Sequence, residues 1–125
     1  MVRDFFHDEQ APELQDVLDA LDDDTCRQLI HELEEPMTAK ELAEECDIPL
    51  STTYRKVDLL HEARLVREQT EIREDGQHTS RYQLAFEEVR ISLDNDRYFE
   101  VQIKKRPERP EERLESLWSE VRKET

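Results

Sequence analysis

The chain has 125 residues, which suits one domain with a modest hydrophobic core. Hydrophobic residues make up 35% of it and charged residues 41%, and the formal net charge is −15. The apolar runs are too short to cross a membrane, and a single glycine argues against a phosphate-cradling loop. Dense carboxylates are typical of proteins adapted to high salt, so we expect a soluble cytoplasmic protein from such a setting.

Two amphipathic helices are predicted after an irregular arm of residues 1–12. Proline is favoured in the first turn of a helix, and after Pro12 the apolar residues recur every three or four positions. This stripe consists of Leu14, Val17, Leu18 and Leu21. The acidic run 22–24 then offers an N-cap for a second helix. Its stripe consists of Cys26, Leu29, Ile30 and Leu33. Pro36 ends this helix, because a residue that precedes proline resists helical geometry.

A third and a fourth helix are predicted on either side of a short turn. Thr38 and Glu41 have the spacing of a capping box, which marks the start of the third helix. Its stripe consists of Ala39, Leu42, Ala43 and Cys46. Residues 47–50 form a tight turn, after which Ser51 is expected to cap the fourth helix. The inward positions there are Thr53, Val57, Leu60 and Ala63. Two helices joined in this way make a helix-turn-helix.

The hydrophobic period changes after Leu65, where apolar and polar residues begin to alternate and predict strands. One strand starts at Val66, residues 74–77 form a hairpin turn around the only glycine, and residues 80–84 return as a second strand. Alternation continues to Leu93, and after a turn at 94–96 it predicts a further strand over residues 98–103. The expected fold class is therefore α+β, mainly α: a winged helix-turn-helix with a β-hairpin wing, an extra strand and a C-terminal helix.

The C-terminal end combines a stiff linker, residues 105–110, with a short amphipathic helix. The stripe of this helix consists of Leu114, Leu117, Trp118 and Val121. A helix of about three turns does not persist alone in water, so its apolar face must dock. We expect it to pack with the first helix in a two-fold dimer, and packing on its own domain is the alternative. The expected interface residues are Leu14, Val17, Leu18, Leu21, Leu114, Leu117, Trp118 and Val121.

The helix-turn-helix predicts a surface for double-stranded DNA. Such a motif places its second helix in the major groove, with the N-terminal residues of that helix nearest the bases. The contacts expected from this helix are Ser51, Thr52, Tyr54, Arg55 and Lys56, and those expected from the wing are Arg73, Gln77, His78 and Arg81. Hydroxyl and basic groups suit phosphate and base-edge contacts. The alternatives are a solvated helix face for Arg55 and Lys56, and packing on the wing for Tyr54.

Two segments, TAKELAEECDIPLSTTYRKVDLLHEARLV and REDGQHTSRYQL, resemble the ArsR-like winged-helix regulators, especially their haloarchaeal members. The resemblance covers residues 13–93 and is strongest over 38–84. It implies that residues 51–56 open the recognition helix and that Gly76 lies in the wing. The family commonly has glycine where this chain has Arg64, so Arg64 is expected to end the helix without the conformational freedom of glycine.

Neither cysteine shows the pattern of a disulfide or of a metal site. Some ArsR-like proteins bind metal through paired cysteines on the helix before the recognition helix, but Cys46 has no partner two or three positions away. Cys26 and Cys46 both lie on apolar stripes, so we expect buried thiols and leave sensing as the alternative. The histidines His7, His31, His61 and His78 lack zinc-binding spacing. We expect no metal and no cofactor.

These patterns predict three regions: an arm (1–12), a winged helix-turn-helix domain (13–93), and a strand, linker and dimerisation helix (94–125). They indicate a sequence-specific, double-stranded-DNA-binding transcriptional regulator that acts as a homodimer. The sequence contains no constellation of catalytic residues, so we do not expect an enzyme. The acidity favours an alternative, a winged helix that serves as a protein–protein interaction module in a transcription or chromosome complex.

Overall fold

The computed structural model describes residues 12–72 and 74–107. In these ranges the chain forms four helices and two antiparallel pairs of strands. The helices are α1 (Leu14–Asp22), α2 (Asp24–Glu32), α3 (Ala39–Cys46) and α4 (Leu50–Glu62), and the strands are β1 (Val66–Ile72), β2 (His78–Leu84), β3 (Phe86–Leu93) and β4 (Phe99–Lys105). None of the described helices is long and apolar enough to span a bilayer. Outside the described residues lie Arg73, most of the predicted arm, and the segment predicted as the last helix, with Leu114, Leu117, Trp118 and Val121.

Side-chain caps fix the starts of α2 and α3 where the sequence predicted them. Asp23 is the N-cap of α2, and its Oδ1 accepts a hydrogen bond from the Cys26 backbone N–H at 2.9 Å. Thr38 and Glu41 form the predicted capping box: the Glu41 backbone N–H donates to Thr38 Oγ1, and the Thr38 backbone N–H donates to Glu41 Oε1. The hydrogen bond that the Glu41 carboxylate accepts from the Thr38 backbone N–H lowers the pKa of Glu41, because it favours the charged form.

The start of α4 differs from the prediction, since Ser51 does not cap it. The N-cap is Pro49, whose extended backbone places its carbonyl oxygen 3.0 Å from both the backbone nitrogen and the side-chain Oγ1 of Thr53. Proline presets φ near the observed −61°, so the helix begins at Leu50, inside the predicted turn. Ser51 is therefore an exposed residue of the first helical turn, and its side chain does not cap the helix.

The end of α4 confirms the expectation for Arg64. Arg64 adopts a left-handed conformation with φ of 62°, and the next residue, Leu65, donates its backbone N–H to the Leu60 carbonyl at 3.0 Å. This is the geometry in which glycine commonly ends helices. Asp47, at the end of α3, is left-handed as well, with φ of 54°. The chain thus places side chains at two helix ends where glycine would be less strained.

The four helices bury one core, and the predicted inward faces are the ones that pack there. Its largest fully buried side chains are Val17, Cys26, Leu29, Leu42, Thr53, Val57, Leu60 and Leu65. Cys26 and Cys46 are both buried, as predicted, and each is a free thiol. Val17, which was expected at a dimer interface, lies in the chain's own core with no exposed surface, so it offers nothing to a partner. Its neighbour Leu18 is 41% exposed.

Each pair of strands forms a separate two-stranded sheet. The wing is the β1–β2 hairpin, whose register runs from Val66 opposite Leu84 to Ile72 opposite His78. Met37, between α2 and α3, exchanges two backbone hydrogen bonds with Tyr82 and so adds a bridge to β2. Strands β3 and β4 pair across the predicted boundary between residues 93 and 94, so the predicted extra strand is half of a second hairpin.

Candidate nucleic-acid interface

Helices α3 and α4 meet at a turn of three residues, 47–49, which fixes the direction of α4. The left-handed Asp47 reverses the chain, and the Ile48 backbone N–H donates to the Ala43 carbonyl at 3.0 Å. From this turn α4 directs Val57 and Leu60 into the core, where both are buried. The opposite side of α4 is left on the surface, together with the helix N-terminus.

The exposed face of α4 begins with four side chains in its first two turns. Leu50 and Tyr54 are 44% and 49% exposed, and Ser51 and Arg55 are exposed as well. Thr52 is half-buried. Positions 50 and 54 are four residues apart and therefore adjacent on the helix surface. Leu50 was not predicted as a site residue, because the sequence placed it in the turn before the helix.

Two positions were considered for Tyr54, packed on the wing or open for contact with DNA, and the structure places it between them. Burial raises the pKa of Tyr82 on β2, and the nearby groups of Glu68 and Tyr54 raise it further, so Tyr54 lies near the wing. About half of the Tyr54 surface nevertheless remains open to solvent. Tyr54 is therefore positioned to contact a molecule docked on α4.

The N-terminus of α4 is electrostatically different from the other helix starts. The first turns of α1, α2 and α3 each contain a carboxylate, from Asp16, Asp24 and Glu41 respectively. The first turn of α4 contains none, and no side chain caps its N–H groups. Free backbone donors and the positive end of the helix dipole favour an anion such as a phosphate at this position.

Lys56 is not on the open face, although it was predicted to bind DNA. Its Nζ lies 2.5 Å from Oδ2 of Asp23, and the two side chains are only 18% and 23% exposed. The hydrogen bond from Lys56 lowers the pKa of Asp23 and keeps the carboxylate charged. Because Asp23 caps α2, this ion pair attaches α4 to the start of α2. The structure thus gives Lys56 a positioning role. Of the two adjacent basic residues, only Arg55 is exposed.

Cys26 lies directly beneath this ion pair. Its Sγ is 3.7 Å from the Lys56 carbonyl oxygen, a distance consistent with a weak S–H donor. Burial raises the pKa of Cys26 to about 11, and the carboxylate of Asp23 adds to the shift. Burial raises the pKa of Cys46 as well. Both thiols are therefore held in the protonated form, which is a poor nucleophile and a poor metal ligand.

The wing tip combines polar and acidic side chains. Gly76 has φ of 83°, and the Gln77 backbone N–H donates to Asp75 Oδ1 at 3.0 Å, which closes the predicted turn. Gln77 and His78 are exposed there. A shallow depression at the tip is lined by Glu71, Ile72, Glu74 and Asp75. This cluster of carboxylates disfavours a phosphate, which weakens the case for the tip itself as a DNA contact.

Arg81 on β2 was also predicted to contact DNA from the wing. Its guanidinium forms ion pairs with two carboxylates. Its Nε lies 3.0 Å from Glu71 Oε2 across the wing, and its Nη1 lies 3.4 Å from Glu41 Oε1 on α3. The hydrogen bond with Glu71 raises the pKa of Arg81 further above its already high value. The side chain remains 33% exposed, so its guanidinium is accessible but already paired.

Comparison with known proteins identifies the motif. The sequence matches the model of a helix-turn-helix domain family over residues 21–69, which run from the end of α1 into β1. The helices α2, α3 and α4 lie within this match, so this part of the chain has the helix-turn-helix fold. No curated protein matches it. Among solved structures it resembles a possible transcriptional regulator from Methanosarcina mazei Go1 at 17% identity and a TM-score of 0.46, over 56% of this chain and 62% of that one. The chain therefore spans less than two thirds of that protein's length.

Proposed function

We propose that this protein is a transcriptional regulator that binds double-stranded DNA by inserting the first two turns of α4 into the major groove. The observation that carries the proposal is the start of α4, where backbone donors, Ser51 and Arg55 are exposed with no carboxylate in the first turn. The helix-turn-helix match supports it, because motifs of this kind read DNA with the N-terminal part of the second helix.

The exposed side chains of α4 have complementary roles in this proposal. Arg55 donates to a guanine edge or to a phosphate, and Ser51 with the free backbone N–H groups contacts a neighbouring phosphate. Leu50 and Tyr54 form an apolar pair suited to the methyl group of thymine, which only the major groove presents. Thr52, half-buried, contributes at the edge of the interface. This combination of directed and apolar contacts would make the binding sequence-specific.

The charge of the chain sets the conditions under which it works. Residues 1–36 carry 2 basic and 12 acidic groups, whereas residues 51–64 carry 3 basic and 2 acidic groups. The reading helix is thus a nearly neutral region of a very acidic protein. At molar salt, repulsion between the acidic surface and DNA is screened within about 3 Å. We infer a halophilic, ArsR-like regulator that depends on directed contacts more than on counterion release.

A homodimer belongs to this proposal, because one reading helix contacts too few bases for useful selectivity. Two-fold pairing would present two copies of α4 to half-sites about one helical turn apart. Leu14 and Leu21 are half-buried and Leu18 is exposed on α1, so α1 has apolar surface to share with the stripe Leu114, Leu117, Trp118 and Val121.

Selection of DNA from a random pool tests the proposed function without knowledge of the operator. The full chain is incubated in about 2 M KCl, where repulsion is screened, with duplexes that contain a random central segment. We expect a defined sequence to be enriched and Arg55→Ala to bind it about tenfold more weakly. Arg90→Ala, at an exposed base on β3 far along the chain from α4, is the matched control and should bind as the native chain does.

The protein–protein interaction module remains the second candidate, favoured by the net charge of −15 and by the carboxylates around the wing tip. The same selection separates the two functions. If the folded chain enriches no duplex at any salt concentration, the DNA-binding proposal is wrong and the interaction module is supported. Enrichment that Arg55→Ala leaves unchanged would contradict the assignment of α4 as the reading helix.

A further inference from the structure

The β3–β4 hairpin has an apolar stretch on one face. Three cross-strand pairs lie on it, at every second position of the ladder: Val89 with Ile103, Ile91 with Val101, and Leu93 with Phe99. Side chains alternate between the two faces of a strand, so these pairs share one side. The other side carries the polar pairs Glu88 with Lys104, Arg90 with Gln102, and Ser92 with Glu100.

Only half of the apolar face is covered by the core. Val89, Val101 and Ile103 pack against the core, and α1 contacts β4. Towards the turn the hairpin extends past the core, and Ile91, Leu93 and Phe99 are 41%, 56% and 64% exposed. An apolar ladder that continues beyond its own core is a mark of an interaction surface.

We propose that the uncovered end of this face, formed by Ile91, Leu93 and Phe99, packs against the same surface of a second copy of the chain. Charge favours this partner. The hairpin, residues 86–105, carries 4 basic and 5 acidic groups, whereas residues 1–85 carry 9 basic and 22 acidic groups. Two copies of so acidic a protein repel each other least where they meet through the nearly neutral hairpin.

The described end of β4 lies away from the uncovered end of the hairpin. Strand β4 runs from Phe99, at the uncovered end, to Lys105, a rise of roughly 20 Å at 3.3 Å per residue. At the far end the Arg106 backbone N–H donates to the Ala85 carbonyl at 3.0 Å, and the Arg106 carbonyl accepts from Arg67 Nη2. Arg106 and Pro107 therefore lie at the end of the hairpin opposite to Leu93 and Phe99. A symmetric contact between two copies of the hairpin is self-complementary and uses only residues of the hairpin itself.

This interface rests on the homodimer proposed above but not on DNA binding, so it is tested without DNA. The full chain is sedimented in about 2 M KCl, which screens the repulsion between copies. We expect twice the monomer mass of 15.0 kDa. Leu93→Asp should raise the dimer dissociation constant at least about tenfold, because it places a charge in an apolar contact. Gln102→Asp adds the same charge on the exposed polar face and should leave the dimer intact.

Circular dichroism establishes that each variant is folded, and Phe99→Ser, which adds no charge, replaces Leu93→Asp if that variant does not fold. A native chain that sediments as a monomer would overturn the interface. The uncovered end of the hairpin would then be covered by other residues of the same chain. Equal dimerisation of the folded Leu93→Asp (or Phe99→Ser) and Gln102→Asp variants would overturn it as well. A dimer that enriches no duplex in the selection above would keep the interface and refute the DNA-binding function, so the two failures are distinguishable.

Discussion

Lys56 on α4 and Asp23 at the N-cap of α2 form an ion pair that connects the two helices. The two Asp23 oxygens are used separately: Oδ1 accepts from the Cys26 backbone N–H at 2.9 Å, and Oδ2 lies 2.5 Å from Lys56 Nζ. One carboxylate therefore caps α2 and anchors α4. This arrangement distinguishes two adjacent residues of α4, since Arg55 is exposed to solvent and Lys56 is paired with Asp23.

The first prediction compares the contributions of Lys56 and Arg55 to stability and to DNA binding. Lys56→Met should lower the free energy of unfolding by about 1–2 kcal/mol, because it leaves a largely buried Asp23 carboxylate without its partner. Arg55→Met should change the free energy of unfolding by less than about 0.5 kcal/mol, since Arg55 is exposed. Denaturant titration at high salt measures both. In the binding assay the order should reverse, with the larger direct loss for Arg55→Met.

Acid titration adds an independent check on the same contact. Lys56 lowers the pKa of Asp23 below its unfolded value, so the pair stabilises the fold at neutral pH and this contribution is lost as pH falls through the folded pKa. The Lys56→Met variant should lose less stability below about pH 4 than the native chain does. The ion pair does not position α4 if Lys56→Met and Arg55→Met have the same free energy of unfolding and acid destabilises Lys56→Met as much as the native chain.

A second prediction concerns Arg64, which ends α4 at φ of 62°. Arg64→Gly should raise the free energy of unfolding by about 0.5–1 kcal/mol, because glycine adopts this conformation without a steric penalty from Cβ. Arg64→Ala keeps a Cβ and removes the same charged side chain, so it is the matched control and should not stabilise the chain. Thermal melts of the two variants give the comparison. A gain in both would attribute the effect to charge instead of backbone strain.

A third prediction concerns Cys26. Its pKa is raised to about 11 in the folded chain, so between pH 9 and pH 11 the unfolded state releases a proton that the folded state retains. Stability is therefore unaffected by this group below pH 9 and falls as pH rises towards 11, by on the order of 2 kcal/mol. The difference between the native chain and Cys26→Ala isolates this effect from other groups that titrate in alkali.

The same variants test whether Cys26 is structural. Cys26→Ala should cost about 1 kcal/mol or more at neutral pH, as truncation in a packed core does. A thiol reagent should label Cys26 only as fast as the chain unfolds, since the group is fully buried. Rapid labelling of the folded chain, or DNA binding that responds to oxidant in the native chain and not in Cys26→Ala, would support a sensing role.

Most of the fold could be predicted from the sequence because its signals are local. The capping box at Thr38 and Glu41, the inward stripe of α3 and the glycine turn of the wing each depend on residues a few positions apart. The start of α4 was misplaced because Ser51 is a good cap in isolation, whereas Pro49 precedes it and fixes the backbone first.

The parts of the site that were missed depend on contacts between residues far apart in the chain. Lys56 and Asp23 are 33 positions apart, and nothing in the sequence shows that they meet. The same is true of Arg81 and Glu41, which are 40 positions apart. A basic residue near a reading helix can bind DNA or hold the fold, and only its neighbours in space distinguish the two roles.

The last prediction asks whether Arg81 binds DNA once it is released. Glu71→Gln should strengthen DNA binding about fivefold at moderate salt, because it releases Arg81 from the nearer of its two carboxylates and removes a negative charge near the phosphates. Glu74→Gln removes the same charge from the wing tip, but Glu74 is not among the partners of Arg81, so it controls for charge alone. Glu71→Gln should therefore increase DNA affinity more than Glu74→Gln does. This difference in affinity should vanish when Arg81→Ala is added to both variants. Stability should change little, since exposed ion pairs contribute at most about 1 kcal/mol. If Glu71→Gln and Glu74→Gln give equal affinities, Arg81 braces the wing against α3 and takes no part in reading DNA.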